Sequence, residues 1–200
     1  MRPVYTERDI PVSGELRVRE DAIFTPSARD LAQQRAVRVV FLKPNQTPGL
    51  APPEKTIAIG ADHGGFRMKL ALLPVIEELG LAVRDAGVFE EKPVDYPDIA
   101  VKVADLVASG VATRGVIIDG AGIGSAMAAN KVRGIRAALC YDTASARNSR
   151  EHNNANVLTL GGRLLTESQA ETVLRVWLAT PFAGSRHQAR VDKIMQVEQR

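Results

Sequence analysis

The sequence predicts an α/β fold: a three-layer, doubly wound sheet of five parallel strands with a small N-terminal appendage. From Thr56 onward, short apolar segments alternate with segments whose apolar residues have helical spacing. This alternation is typical of a parallel sheet covered by helices on both faces. A length of 200 residues is enough for one well-buried domain and too short for two ordinary ones.

Three segments are predicted along the chain: an N-terminal extension at residues 1–43, a proline-rich linker at 44–55 and a body at 56–200. In the extension, Thr25 and Pro26 predict a helix start, with Thr25 as the N-cap and Pro26 at the first helical position. Val37–Leu42 predicts a short strand. A segment of this size is too small for a convincing core of its own, so we expect it to dock on the body or on another protein.

The body contains five predicted strands and six predicted helices. The strands are Thr56–Ala61, Ala82–Ala86, Gly115–Ile118, Ile135–Cys140 and Val157–Leu160. The helices cover roughly 65–79, 96–108, 125–131, 143–150, 167–179 and 186 to the C-terminus. Strands and helices in this succession indicate a Rossmann- or flavodoxin-like sheet.

Composition and charge exclude several classes of protein. The net charge is only +3 and no basic block stands apart from acidic neighbours, so neither nucleic acid nor a membrane surface is an expected partner. The single cysteine, Cys140, fits a reducing compartment and reads as a small buried hydrophobic residue. Because no signal peptide or membrane-spanning run is present, a cytoplasmic location is expected.

Two loops at strand ends contain residues that could bind a ligand or transfer protons. Ligands of open parallel sheets bind beyond the carboxyl ends of the strands, where the strand order reverses. Asp62, His63 and two glycines follow the first strand of the body, and Asp119 with a glycine-rich loop follows the third. With a strand order of 2-1-3-4-5, these two loops flank the reversal point, and the site lies between them.

The segment from Asp119 to Gly124 alternates glycine with other residues and runs into a helix. Glycines let the backbone approach a ligand closely, and a helix N-terminus favours negative charge. The carboxylate of Asp119 has two interpretations: it caps the helix in a tight turn, or it is partly dehydrated and serves as a base.

Two further motifs are ambiguous on their own. His152 lies among asparagines just before the fifth strand of the body, and Arg186 and Arg190 share one helix face. The arginines are either an exposed basic face or a phosphate clamp, because guanidinium groups match phosphate oxygens. The three histidines are far apart in sequence, so no metal site is predicted.

Taken together, the motifs resemble the type B ribose-5-phosphate isomerases and the related galactose-6-phosphate isomerase subunits. They occur in the family's order and cover the chain from about Thr56: Gly60–Phe66, Asp95–Pro97, Gly120–Gly124 with Ala128–Lys131, His152–Val157 and Gly184–Gln188. The resemblance implies interconversion of an aldose phosphate and its ketose through an enediolate, without metal or cofactor. It also implies active sites shared across the interface of a homodimer, or within a homotetramer.

The resemblance also implies residue roles. Asp62 and His63 resemble the pair that contacts the sugar and its phosphate, and His152 resembles the ring-opening histidine, with Asn153 beside it. The implied phosphate ligands are Arg163, Arg186 and Arg190. The loop would offer backbone N–H groups to the enediolate oxygen, from Gly120, Gly122, Ile123 and Gly124.

The chain departs from the family at the base. Many members have a cysteine where this chain has Asp119, and another branch has glycine there with a glutamate at the position of Ser125. Ala121 also replaces a common serine or threonine. Since the galactose-6-phosphate type can have aspartate at the base position, our hypothesis is that Asp119 carries the proton between C2 and C1.

Three functions remain open. Isomerisation of ribose 5-phosphate and ribulose 5-phosphate is favoured; the others are the same chemistry on a tetrose 4-phosphate or galactose 6-phosphate, and non-catalytic sugar-phosphate binding. Thr25–Leu31 resembles short segments appended to enzymes that are packaged in bacterial microcompartments. A shell or cargo partner is therefore one expectation for the extension, and bracing of the oligomer is the other.

Overall fold

The structure is a computed structural model that describes residues 3–11, 14–42, 49–50 and 56–199. The chain divides into two compact units, Met1–Glu54 with Ser109–Val111 and Lys55–Ala108 with Ala112–Arg200. Most of the predicted linker lies outside the described residues, so the domain limits stay a prediction. Gly49–Leu50, within that predicted linker, forms a short strand.

Where the structure describes it, the first unit contains the strands and the α-helix β1 (Val4–Tyr5), β2 (Glu15–Arg19), β3 (Ile23–Phe24), α1 (Pro26–Gln34), β4 (Arg38–Leu42) and β5 (Gly49–Leu50). β1 pairs with β3, and β2 lies between a parallel β4 and an antiparallel β5. Thr25 caps α1, since its hydroxyl accepts a hydrogen bond from the Ala28 N–H at 3.2 Å.

The first unit also has a small core of its own, contrary to expectation. Leu16 and Val18 point inward from β2, and Ala28 and Ala32 lie one turn apart on α1. Together with Ile10 and Val37 they form a buried cluster. The expectation that this segment lacks a core was wrong, because β2, α1 and β4 make a strand–helix–strand unit whose inward faces pack together. The expected docking stays a prediction.

The second unit is the predicted α/β body. Its strands are β6 (Thr56–Ala61), β7 (Ala82–Asp85), β8 (Arg114–Asp119), β9 (Ala137–Leu139) and β10 (Val157–Gly161), all paired in parallel. Its helices are α2 (Phe66–Glu78), α3 (Tyr96–Ala108), α4 (Ile123–Ala129), α5 (Thr143–Glu151), α6 (Glu167–Ala179) and α7 (Gln188–Gln196). None of the described helices is both long and apolar enough to cross a membrane.

The strand order is β7-β6-β8-β10-β9, which is 2-1-3-5-4 and not 2-1-3-4-5. Every residue of β10 is buried, whereas the three residues of β9 are half-buried. A continuously apolar strand is stabilised most by a neighbour on each side and helices on both faces. β10 therefore lies inside the sheet and the short β9 at its edge.

Two apolar layers enclose the sheet. Ile57 and Ile59 of β6 face a core that includes Leu72 of α2 and Trp177 of α6. Ala58, the residue between them, faces a second core with α3 residues such as Val103 and with Ala129 of α4. Because α2 and α4 leave β6 and β8 on opposite faces, the reversal point lies between these two strands, at the end where both loops emerge.

Candidate active site

Three loops meet at the carboxyl edge of the sheet, after β6, β8 and β10. The Asp62 N–H donates to the Ile118 carbonyl at 3.1 Å, and the Gly162 N–H donates to the Asp119 carbonyl at 2.7 Å. The Arg163 N–H donates to the Gly120 carbonyl at 3.0 Å. The observed strand order matters here, because it puts the loop after β10 directly beside the Asp119 loop.

Glycine is required where these loops touch. A Cβ atom added to Gly162 would lie 2.8 Å from the Gly64 carbonyl oxygen, closer than real Cβ contacts allow. Gly122 has φ of 78°, a left-handed conformation that a side chain would strain. The loops therefore form a tightly packed backbone floor, over which the Arg163 side chain lies near Gly120.

Asp119 is buried, with 4% of its surface exposed, and its carboxylate binds its own loop. Oδ1 accepts hydrogen bonds from the N–H groups of Ala121, at 2.7 Å, and Gly122. Oδ2 accepts from the N–H of Ser125 in the first turn of α4, at 3.0 Å. Asp119 therefore makes the hydrogen bonds that its interpretation as a helix cap predicts. A carboxylate has about four acceptor positions, so roughly one remains, on Oδ2.

Asp62 is the second buried carboxylate at this edge. Its Oδ1 accepts a hydrogen bond from the Gly65 N–H at 3.0 Å. Burial raises the pKa of Asp62 above its usual value, the N–H groups of Gly65 and Gly64 oppose that shift, and the nearby negative charge of Asp119 adds to it. Neighbouring carboxylates whose environments differ are suited to separate acid and base roles.

Two buried side-chain atoms have no hydrogen-bond partner within the described ranges: His63 Nδ1 and Ser125 Oγ. Both lie at this same edge, His63 after β6 and Ser125 in the first turn of α4. Buried polar atoms are normally paired, so two orphans at one edge indicate that a ligand supplies their partners. Ser125 was not among the predicted site residues, although the resemblance places it where another branch of the family has a glutamate, and that was the signal that could have found it.

The other predicted residues gather elsewhere. His152 caps the C-terminus of α5, and its ring stacks on that of His187, with centroids 4.2 Å apart and planes within 6°. The Arg186 Nε lies 3.5 Å from His187 Nε2, and the Ala183 N–H donates to the Glu151 carbonyl at 3.0 Å. His187 was missed by sequence reasoning, although it stands between Arg186 and Arg190 in the motif.

The two sets lie at opposite ends of the strands, one at the carboxyl ends and the other at the amino ends. The carboxyl-edge group comprises Asp62, His63, Asp119, Gly120, Gly122, Ile123, Gly124 and Arg163; the amino-edge group comprises His152, Asn153, Arg186, His187 and Arg190. His152 precedes the amino end of β10, and Arg163 follows its carboxyl end. A strand of this length rises about 3.3 Å per residue, which separates the edges by roughly 15–20 Å.

The described part of the chain contains neither a cluster of metal ligands nor an exposed thiol. No group of three or more histidine, cysteine, aspartate or glutamate residues there is placed to hold a metal ion. Cys140 is fully buried, 3.9 Å from the Ser149 hydroxyl, and burial raises the pKa of its thiol. Cys140 is thus a small core residue, as predicted.

Comparison with known proteins identifies the family of this chain and agrees with its fold. The family model described as Ribose/Galactose Isomerase matches residues 57–194. Ribose-5-phosphate isomerase B of Escherichia coli (strain K12) is 42% identical over 146 residues, 73% of this chain and 98% of that protein. D-erythrulose-4-phosphate isomerase of Pectobacterium atrosepticum is 39% identical over 141 residues, 70% of this chain and 92% of that protein. The structure of Clostridium thermocellum ribose-5-phosphate isomerase B superposes with a TM-score of 0.71 at 45% identity, covering 72% of this chain and 97% of that one.

Proposed function

Because this chain belongs to the Ribose/Galactose Isomerase family and is a sugar-phosphate isomerase, we propose that it interconverts ribose 5-phosphate and ribulose 5-phosphate through an enediolate. The observation that carries the proposal is the carboxyl-edge group, where two buried carboxylates lie beside a glycine loop at a helix N-terminus. Relatives named ribose-5-phosphate isomerase B support this choice of substrate. The proposed reaction needs no metal and no cofactor.

Proton transfer at carbon is assigned to Asp119. Its free Oδ2 position takes the proton from C2 of the open-chain aldose and returns it to C1. Meanwhile a proton leaves O2 and one joins O1, which makes C2 the carbonyl carbon of the ketose. Asp62 is suited to that exchange, because its raised pKa favours a carboxyl that both gives and takes a proton.

The loop stabilises the enediolate oxygen. A helix leaves the N–H groups of its first turn without intrahelical acceptors, which applies to Ile123 and Gly124. With Gly120 they are the loop donors that we assign to the substrate. Gly122, expected to join them, already donates to Asp119, so its role is to hold the base.

A second copy of the chain completes the proposed site. The amino-edge group holds the ring-opening candidate His152, with Asn153 beside it, and lies roughly 15–20 Å from Asp119 within one chain. A homodimer, alone or within a tetramer, can bring the amino-edge group of one copy to the carboxyl-edge group of the other. Arg186 and Arg190 of the second copy would then bind the phosphate together with Arg163.

An aldose-phosphate panel tests the substrate. We expect the highest kcat/KM for ribose 5-phosphate, and solvent deuterium incorporated at C2 of recovered substrate. A higher kcat/KM for another sugar phosphate would replace the substrate and keep the chemistry. Binding without deuterium exchange would identify a non-catalytic sugar-phosphate-binding protein, a function that the three loop contacts of the Asp119 carboxylate favour.

A tetrose 4-phosphate is the second candidate substrate. The Pectobacterium atrosepticum relative, 39% identical, is named D-erythrulose-4-phosphate isomerase, so the same frame accepts a shorter sugar in that protein. Galactose 6-phosphate is a third, since the matching family model includes galactose isomerases. Erythrose 4-phosphate and galactose 6-phosphate therefore belong in the panel.

For the first unit we propose a partner, a shell or cargo protein of a bacterial microcompartment in the cytoplasm. The segment that suggested it, Thr25–Leu31, forms the capped start of α1. Co-purification with candidate shell proteins, compared between the full chain and a variant lacking residues 1–55, tests the proposal. Equal association of both forms would contradict it and favour a role in the oligomer.

A further inference from the structure

The His152 ring is contacted on an edge and on a face. On the edge, Nδ1 lies 2.9 Å from the side-chain Nδ2 of Asn148, one helical turn earlier on α5. On the face, the ring stacks on His187. A side chain that only caps a helix needs neither contact, so the two contacts indicate that the orientation of this imidazole has a further role.

The Asn148 contact determines where the His152 proton is. An amide nitrogen carries two hydrogens and accepts none, so Nδ2 of Asn148 donates and Nδ1 of His152 accepts. A neutral imidazole with its lone pair at Nδ1 carries its hydrogen at Nε2. The edge of the ring that faces away from α5 therefore presents an N–H donor.

The His187 contact fixes the face of the His152 ring and disfavours simultaneous charge on both rings. Arg186 Nε donates to His187 Nε2, which keeps a lone pair on that ring as well. Partial burial lowers the pKa of His187, as do the positive charges of Arg186 and Arg190 and of His152 when it is protonated, while Glu151 opposes the shift. Two stacked imidazoles with centroids at 4.2 Å repel each other when both are charged.

We propose that Asn148 and His187 are positioning residues that orient the His152 ring and, in its neutral form, place its hydrogen on Nε2. Nε2 then offers a hydrogen bond to a sugar oxygen, and Nδ1 is closed to proton transfer. The importance of this tautomer for turnover rests on the proposed function, but the tautomer itself does not.

Nitrogen-15 NMR of histidine-labelled protein measures the tautomer directly, without substrate. The chain has three histidines, and His63→Gln and His187→Phe assign the signals. We expect a protonated Nε2 and an unprotonated Nδ1 for the neutral ring of His152. A protonated Nδ1 in the wild type would overturn the proposal, because Asn148 would then accept through its oxygen.

Two variants at position 148 provide a matched pair, and Asn148 is exposed on a helix surface, so both should fold. Asn148→Asp puts an acceptor beside Nδ1 and should move the hydrogen there, whereas Asn148→Ala should give an averaged signal. We expect kcat of Asn148→Asp to fall on the order of 10-fold, with KM little changed. An unchanged His152 tautomer in Asn148→Asp would contradict the proposal.

His187 is tested by keeping or removing the stack. His187→Ala should lower kcat on the order of 10-fold, and His187→Phe, which retains an aromatic face, should recover most of it. A rise in KM in both variants with unchanged kcat would assign His187 to substrate binding and overturn its positioning role. If the NMR result holds in a chain that isomerises nothing, the proposed function fails and the tautomer stands.

Discussion

The carboxylate of Asp119 reaches six residues along the chain to accept the Ser125 N–H at 3.0 Å, which ties the end of β8 to the first turn of α4. Its other oxygen accepts two loop N–H groups. The same side chain that we assign to proton transfer thus also holds the loop that would bind the enediolate. Hydrogen-bond donors that are already oriented cost little free energy to reorganise during the reaction. Holding the loop is therefore compatible with a role of Asp119 in proton transfer.

Asp119→Asn should reduce isomerisation on the order of 100-fold or more, because an amide cannot take a proton from carbon at this rate. Binding of a phosphate ligand should change little, because the phosphate is held by arginines. Turnover and ligand titration measure the two effects separately.

The control is Asp142→Asn. Asp142 also caps a helix, accepting the Ser145 N–H at 2.6 Å, but it is exposed. It should retain activity, since asparagine is an equally good cap. Full activity in Asp119→Asn would remove Asp119 from the mechanism.

Burial of Asp62 should make the free energy of unfolding depend on pH. Its pKa in the folded state is raised above the ordinary value of 3.8, mainly by burial, so the folded chain holds this proton more tightly than the unfolded chain. The extra stability is fully present below the unfolded pKa and is lost as pH rises through the folded pKa. At neutral pH, Asp62→Asn should therefore be more stable than the wild type, and less active.

Urea unfolding over a pH series checks this. The free energy of unfolding of the wild type should fall, relative to Asp62→Asn, as pH increases through the range just above 3.8. The Asn side chain keeps an oxygen for the Gly65 N–H, so that contact survives. Parallel pH curves for the two proteins would show that Asp62 is not perturbed by burial.

Gly162→Ala should destabilise the second unit by about 1–3 kcal/mol, the usual cost of overpacking, because its Cβ would lie 2.8 Å from the Gly64 carbonyl oxygen. Activity should fall as well, since the three loops would be pushed apart. Gly120→Ala is the matched control for stability, because its Cβ would meet only Arg163, at 3.6 Å. Thermal unfolding compares them, and equal loss in both would contradict the packing argument.

Mixing inactive variants tests the shared site. A dimer of one Asp119→Asn chain and one His152→Ala chain contains one intact site, so unfolding and refolding equal amounts together should recover roughly one quarter of wild-type activity. The control mixes Asp119→Asn with Asp62→Asn, both in the carboxyl-edge group, and should recover nothing. No recovery in the first mixture would mean that each site uses one chain.

Much of the fold follows from local pattern. Thr25 and Pro26 marked the start of α1, and the apolar runs located all five strands of the second unit within a residue or two. Helix caps, turns and side-chain periodicity depend on residues that are close in sequence, so they can be predicted from the sequence. The order of β9 and β10 could not be predicted from local pattern. It depends on burial, because the fully buried β10 has a neighbouring strand on each side and the half-buried β9 has one.

By itself, the sequence determined the succession of strands and helices, the family resemblance and the identity of most candidate site residues. Only the tertiary structure decided that β10 lies beside β8, which brings Arg163 to Gly120, and that His152 lies with His187 at the opposite edge from Asp119. The physical reason is the range of the interactions. Local hydrogen bonding and apolar spacing are written in adjacent residues, whereas sheet order and ring stacking come from burial between segments that are distant along the chain.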